Sequence, residues 1–296
     1  MVRNMKNIKN KISIRKSEDG VAGIIVAILM VGLFISVLVM VQTQYVPNWM
    51  MQKEAEHMEN VANQFAQLKF AIDTQSIIGS NFEESEIDIP PITTSITLGS
   101  KEDPIFASSR SFGSLELLDN SFSINITNAT NEYINKSLGT IKYSSENGYF
   151  LDQSFIYEAG ALITEQPKGN IMSIQPPLKG DIVYRDLTLT LCNISYETGR
   201  ASVSGYGTYP ILTEFSKLNS YVINETEYIE ITTKYANSWK IYLKNALDER
   251  NIEEGIDYSL SAEGNSVKLK FITNDDYNFN LKIVDIVVEI APGWIE

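Results

Sequence analysis

From Val21 to Val41 the chain reads VAGIIVAILMVGLFISVLVMV, a run without a single charge, and no second run in the sequence resembles it. A helix built from it has no polar face to turn toward water, so it must be covered on every side. Its twenty-one residues would span about 31 Å at ~1.5 Å each, close to the thickness of the hydrocarbon core of a bilayer. The run therefore predicts a membrane-spanning helix over 21–45. The rest of the chain must then work at the end of that tether. A buried core helix is the alternative reading, and the basic flank ahead of the run, with the lack of a polar face, argues against it.

The flanks set the orientation. Arg3, Lys6, Lys9, Lys11, Arg15 and Lys16 precede the run against only Glu18 and Asp19, whereas Gln42, Thr43, Gln44, Tyr45 and Trp49 are among the residues that follow it. The basic side stays in the cytoplasm, which sends the C-terminal bulk outward, and Tyr45 and Trp49 suit the outer interface. An ordinary secretory signal has a shorter apolar stretch ending in small residues, whereas bulky Val39, Met40 and Val41 end this one.

A basic stretch, then Ser17-Glu18-Asp19-Gly20, then VAGIIVAILM resembles the class III signal peptide of archaeal type IV pilin-like surface proteins. The resemblance covers about the first 50 residues. It implies that a prepilin peptidase cuts ahead of the apolar helix, between Gly20 and Val21, leaving the helix in the mature protein. It also implies partners: the peptidase, and other pilin-like subunits or further copies of this chain packed through the N-terminal helix. Ile25 stands at the fifth mature position, where bacterial type IV pilins usually carry Glu and archaeal members often do not. Glu158–Gln166 and Tyr228–Leu243 also resemble the heads of archaeal proteins with pilin-like N-termini.

Charge excludes one class of partner. The whole chain is −13 and the first twenty residues hold six basic and two acidic side chains, so residues 21–296 carry −17. Such a surface repels nucleic-acid backbones and anionic headgroups. The chain has one cysteine, Cys192, and one histidine, His57. A single Cys makes neither an internal disulfide nor a Cys-rich zinc site. Cys192 falls in a strand-like segment and reads as a packing residue. His57 lies on a polar helix about ten residues beyond the membrane edge, and a nucleophilic site would need it to reach a pocket in the distal head.

Beyond the apolar run the sequence predicts a helical stalk over 46–76. Met51, Met58, Phe65 and Ile72 recur every seven residues, with Val61 and Leu68 between them. That stripe either docks on the protein's own head or forms a seam with neighbouring subunits. Pro47 either kinks the helix or starts a new one. From about residue 77 the period changes to two. Ile87–Ile89, Ile92–Leu98, Leu115–Leu117, Phe122–Ile126, Phe155–Tyr157, Ala161–Ile163, Leu187–Leu191, Tyr228–Ile231, Val267–Phe271 and Tyr277–Ile283 read as strands buried on one face. Turn signals such as 146–148, 197–199 and 274–276 separate them. One helix, 238–250, turns Trp239, Tyr242, Leu243 and Leu247 to one side. The expected fold is α+β: a long N-terminal helix, then a mainly antiparallel β-sandwich-like head over 77–296 with one short helix. The head reads as one large domain or two small ones, with the boundary in the second case near Pro176-Pro177.

Candidate sites are few. Asn125, Asn128, Asn135, Asn193 and Asn224 each open an Asn-x-Ser/Thr sequon, three of them within eleven residues, which suggests a glycosylated surface patch. Glu83-Glu84, Glu253-Glu254 and Asp275-Asp276 read as solvated loop charges rather than a glycosidase pair. Ser108-Ser109-Arg110-Ser111 has no Lys or His beside it. No phosphate loop, dinucleotide fingerprint, zinc-protease or calcium-loop motif occurs. The sequence thus predicts no catalytic, metal-ligating or cofactor-binding residues. Two readings follow: a pilin-like subunit or assembly component of a surface filament, or a monomeric signal-anchored surface protein whose head binds a ligand or another envelope component.

Overall fold

The computed structural model describes residues 3–81, 89–100, 111–128, 130, 132–181, 185–196, 200–272 and 277–291, with the backbone alone for 3–19, 81 and 181. The expected strand at 87–89, the turns at 197–199 and 274–276, the acidic pairs Glu83-Glu84 and Asp275-Asp276, and Ser108–Arg110 lie wholly or mostly outside the described residues.

The N-terminal region is helical. Helix α1 (Arg3–Met40) passes through a π-helical turn (Val41–Tyr45) into α2 (Val46–Asn81). Proline 47 neither breaks the helix nor starts a separate one. Its ring cannot donate a hydrogen bond and crowds the carbonyl four residues back. The preceding turn widens instead, and Val46 N–H reaches the carbonyl of Val41, five residues away. The helix ends at Asn81, five residues past the expected stalk end.

The head is β-rich and forms one compact unit with the helix from Lys53 onward. One sheet has five strands in the order β1 (Ile92–Thr97), β10 (Thr208–Ile223), β14 (Asn278–Ile290), β8 (Asp186–Ser195) and β7 (Leu178–Asp181). All its pairings are antiparallel except β14 with β8. The second sheet runs β12 (Tyr258–Glu263), β13 (Ser266–Phe271), β11 (Thr226–Thr232), β2 (Phe112–Asn128), β3 (Tyr133–Glu146), β4 (Ser154–Glu158), β5 (Ala161–Gln166) and β6 (Gly169–Ile174), with β9 (Ser202–Gly205) added beside β2. The expected α+β, sandwich-like head with a single short helix, α3 (Ala236–Asp248), is what the chain forms. The Pro176-Pro177 boundary does not exist: Tyr242 Oη donates to the carbonyl of Pro176 at 3.0 Å, and the unit continues through it.

Two hydrophobic cores share the strands. One is closed by α3, which buries Trp239, Tyr242, Leu243 and Leu247 as its sequence pattern predicts. The other is closed by α2, whose Met58, Val61, Phe65, Leu68 and Ile72 are each at most 2% exposed. Strand β14 serves both cores. Leu281 and Ile283 enter the first, and Val284, Ile286 and Val288 enter the second. Successive side chains point to opposite faces of a strand, so this switch from odd to even positions puts a core on each face of β14. β8 does the same, with Leu189 and Leu191 on one side and Cys192 and Ile194 on the other. β2 changes over at a bulge between Leu118 and Phe122, where Asn120 takes φ +52°.

Candidate functional site

The apolar segment is open on all sides. Ile24, Ile28, Leu29, Leu33 and Phe34 are each more than 60% exposed, and no part of the most apolar stretch is buried within the protein. Its polar side chains return their hydrogen bonds to the helix: Ser36 Oγ donates to the Leu33 carbonyl and Thr43 Oγ1 to that of Val39, both at 2.8 Å. Such back-bonding is what a hydroxyl needs where no water can serve it. Length, composition and exposure make this helix a candidate membrane span. Gly20 and Val21 lie within the helix, and no side chain or neighbouring element crowds the space beside Gly20.

The lower half of the helix is tied to the head by buried polar side chains. Glu54 is fully buried, and its carboxylate accepts from three successive backbone N–H groups of the loop after β3: Gly148 at 3.0 Å, Tyr149 at 2.8 Å and Phe150 at 2.6 Å. Farther along, Gln64 Oε1 accepts from the backbone N–H of Thr97 at the free edge of β1, and Gln75 Nε2 donates to the carbonyl of Thr213 at 2.7 Å. His57, which the sequence places on a polar helix, is 7% exposed. Its Nε2 lies 3.2 Å from the Leu98 carbonyl and 3.2 Å from Tyr143 Oη, which itself donates to that carbonyl. Burial pushes the imidazole below its ordinary pKa, against opposing effects of the Leu98 carbonyl and Glu54. A neutral ring that donates to a main-chain carbonyl holds β1 to the helix.

The head holds a second buried carboxylate. Glu158, at 1% exposure, accepts from Thr233 Oγ1 at 2.8 and 2.9 Å and from Trp239 Nε1 at 2.8 Å. Among the described residues no cation pairs with it, and burial pushes its pKa up to about 7 despite those donors. It fastens the start of α3 to β4 just before the tight Ala159-Gly160 turn, where both residues take positive φ as a two-residue hairpin requires. Cys192 is buried with its Sγ 3.6 Å from Ser76 Oγ. Burial raises its thiol pKa, so little reactive thiolate forms. Among the described residues no three His, Cys, Asp or Glu side chains cluster as metal ligands would. Of the acidic pair Glu253-Glu254, the first bonds through its backbone N–H to Asp257 and the second pairs with Lys244 at 2.7 Å.

The five sequons separate by environment. Asn135 on β3 and Asn224 in the turn between β10 and β11 are exposed. Asn128 is 5% exposed, and its carbonyl oxygen accepts from the Thr130 and Glu132 backbones. Asn193 spends its amide between Gly139 N–H and Asp285 Oδ1. Asn125 is half-buried opposite Asn135 in the β2–β3 ladder.

Neither Glu54 nor Glu158 was singled out from the sequence, though a signal exists for both. Glu54 falls four residues before Met58, on the buried stripe. Glu158 follows Ile156 by two residues on a strand whose Phe155, Ile156 and Tyr157 are all apolar. No family model matches the chain, and no curated protein matches it.

Proposed function

We propose that this protein is a pilin-like structural subunit, or an assembly component, of an archaeal cell-surface filament, held by one membrane span with its head outside the cell. The observation that carries this reading is the division of one helical region. Val21–Val41 is apolar and uncovered, and the stretch from Met58 to Ile72 is docked on the head. A rod of this kind is at home in lipid, and also in a bundle of identical rods, where helix packing replaces lipid contacts. A prepilin peptidase would cut between Gly20 and Val21, leaving the rod at the new N-terminus. Asn135 and Asn224 are the sequons open for glycosylation, and glycans there would stand on the outer surface of the head. No enzymatic step is proposed, since the buried titratable groups described above each hold main-chain or side-chain partners in place.

The test is to express the full chain with its native prepilin peptidase and to read the mature N-terminus by mass spectrometry. A start at Val21 is expected. An intact Met1, or a start beyond Val41, would overturn the filament reading. A second reading, a monomeric anchored surface protein whose head binds a ligand or envelope component, draws on the docking of the stalk stripe, which leaves that stripe no need of a neighbour. Shearing cells and examining the released material by microscopy separates the two: filaments containing this chain favour the first, and chain retained wholly in the membrane favours the second.

A further inference from the structure

A cavity of about 450 Å³ opens where the C-terminal part of α2 passes over the face of the five-stranded sheet. Its walls are apolar at Ile77, Pro177, Leu218 and Val284. Its charge runs against that of the chain. Lys69, Lys179 and Lys282 line it, with Asp73 as their sole acidic companion, on a protein whose net charge is −13. Lys69 is spent, since its ammonium sits 2.8–2.9 Å from both oxygens of Asp73. Lys179 and Lys282 make no ion pair among the described residues.

The sheet register fixes these two lysines as a pair. Lys282 on β14 stands beside Thr190 of β8, and Lys179 on β7 stands beside Thr188 of the same strand. Thr188 and Thr190 are two residues apart, so both lysines project from one face, flanking β8. Two strand spacings of ~4.8 Å, with a two-residue offset of ~6.6 Å along the strands, put their backbones about 12 Å apart. Two unpaired ammonium groups so placed repel each other, and an anion held between them converts that repulsion into attraction. Thr190, beside Lys282 on the intervening strand, also lines the cavity. The apolar walls, Ile77 from α2 with Leu218 and Val284 from the sheet, share the cavity with this basic rim. A bare inorganic anion would leave them in contact with water, whereas a molecule with an apolar body would cover them.

We propose that this cavity binds an amphipathic carboxylate of the size of a medium-chain fatty acid. Its carboxylate lies between Lys179 and Lys282, and its chain runs along Ile77, Leu218 and Val284. The inference does not depend on cleavage or assembly of the N-terminal helix. The experiment uses the full chain in nanodiscs of neutral phosphatidylcholine, with lipid-only nanodiscs as the reference, and titrates decanoate, decanol and inorganic phosphate. Decanoate is expected to bind saturably at one per chain above the lipid background. Decanol, and decanoate with the K179E/K282E variant, should each bind at least tenfold more weakly, and phosphate should not displace decanoate. The wild-type comparison of decanoate with decanol needs no variant, so it stands even if charge reversal disturbs the sheet. Absence of saturable decanoate binding, equal affinity for decanol, indifference to K179E/K282E in a folded variant, or displacement by phosphate at equal concentration would each overturn the proposal.

Discussion

The apolar run and the stalk belong to one helical region and obey opposite rules. Around Leu29 every side of the helix is apolar and every side is exposed, whereas around Phe65 half the surface is polar and the apolar stripe is completely covered. A uniformly apolar helix cannot be satisfied by packing against one partner, because the remaining faces stay wet; it requires a surrounding medium. An amphipathic helix requires only one apolar surface, and two stacked sheets supply it. The polar anchors follow the same division. The hydroxyls of Ser36 and Thr43 bond within the helix, whereas Glu54, His57, Gln64 and Gln75 reach outward to strands and loops of the head.

The sharpest way to break this contrast is to hollow out the docked half. Phe65 is fully buried against the rings of Phe155 and Tyr143, at 5.9 and 6.3 Å between centroids. Phe65→Ala should cost about 3–5 kcal/mol of head stability, measured by denaturant unfolding in nanodiscs. A loss below ~1 kcal/mol would mean that the helix does not close that core. The counterpart in the bare half is Leu29→Arg, at 66% exposure. It should raise the cost of membrane insertion by about 3 kcal/mol and shift protein out of the membrane fraction, with the thermal midpoint of the head unchanged. A drop in that midpoint would show that the head depends on the apolar run.

Within the head, Glu158 gives a dependence on pH whose sign is fixed. An unfolded glutamate titrates near 4.5, and the folded one near 7. Between these values the folded state holds a proton that the unfolded state has lost, so raising pH favours unfolding. Stability should fall by up to about 3 kcal/mol from pH 4.5 to 7 and level off above it. Glu158→Gln should flatten that part of the curve in urea unfolding measured across pH, and an unaltered slope would assign it to other groups. A smaller effect is expected at the helix anchor. Glu54→Gln leaves one acceptor oxygen for three N–H groups and should cost about 2 kcal/mol, with hydrogen exchange at Gly148, Tyr149 and Phe150 accelerated. Unchanged protection there would deny the anchor its role.

Much of this fold is written in local pattern. The heptad from Met58 to Ile72 foretells the docked face, the spacing of Trp239, Tyr242, Leu243 and Leu247 foretells α3, and alternation foretells β8, β11 and β13. β3 and β10 escape such reading. β10 opens on Thr-Tyr-Pro and keeps Lys217, Asn219 and Ser220 in its middle, where a bulge shifts its register against β14. Strands with cores on both faces, such as β14, blur the alternation that identifies a strand buried on one side. The cavity lysines were equally silent, since Lys282 in an alternating strand reads as an outward residue and Lys179 opens the turn-like Lys-Gly-Asp.

By itself the sequence determined that this protein has a chargeless rod, a basic flank before it and a strand-rich, acidic remainder, because length and hydropathy act over neighbouring residues and need no distant partner. Only the tertiary structure decided that the stalk's stripe closes a core of the head itself, that Glu54 and Glu158 are buried, that Asn128 and Asn193 are committed to internal bonds, and that Lys179 and Lys282 flank one strand. Those facts depend on register between segments far apart in the chain. A one-residue slip in any such pairing would send the same side chains to the opposite face.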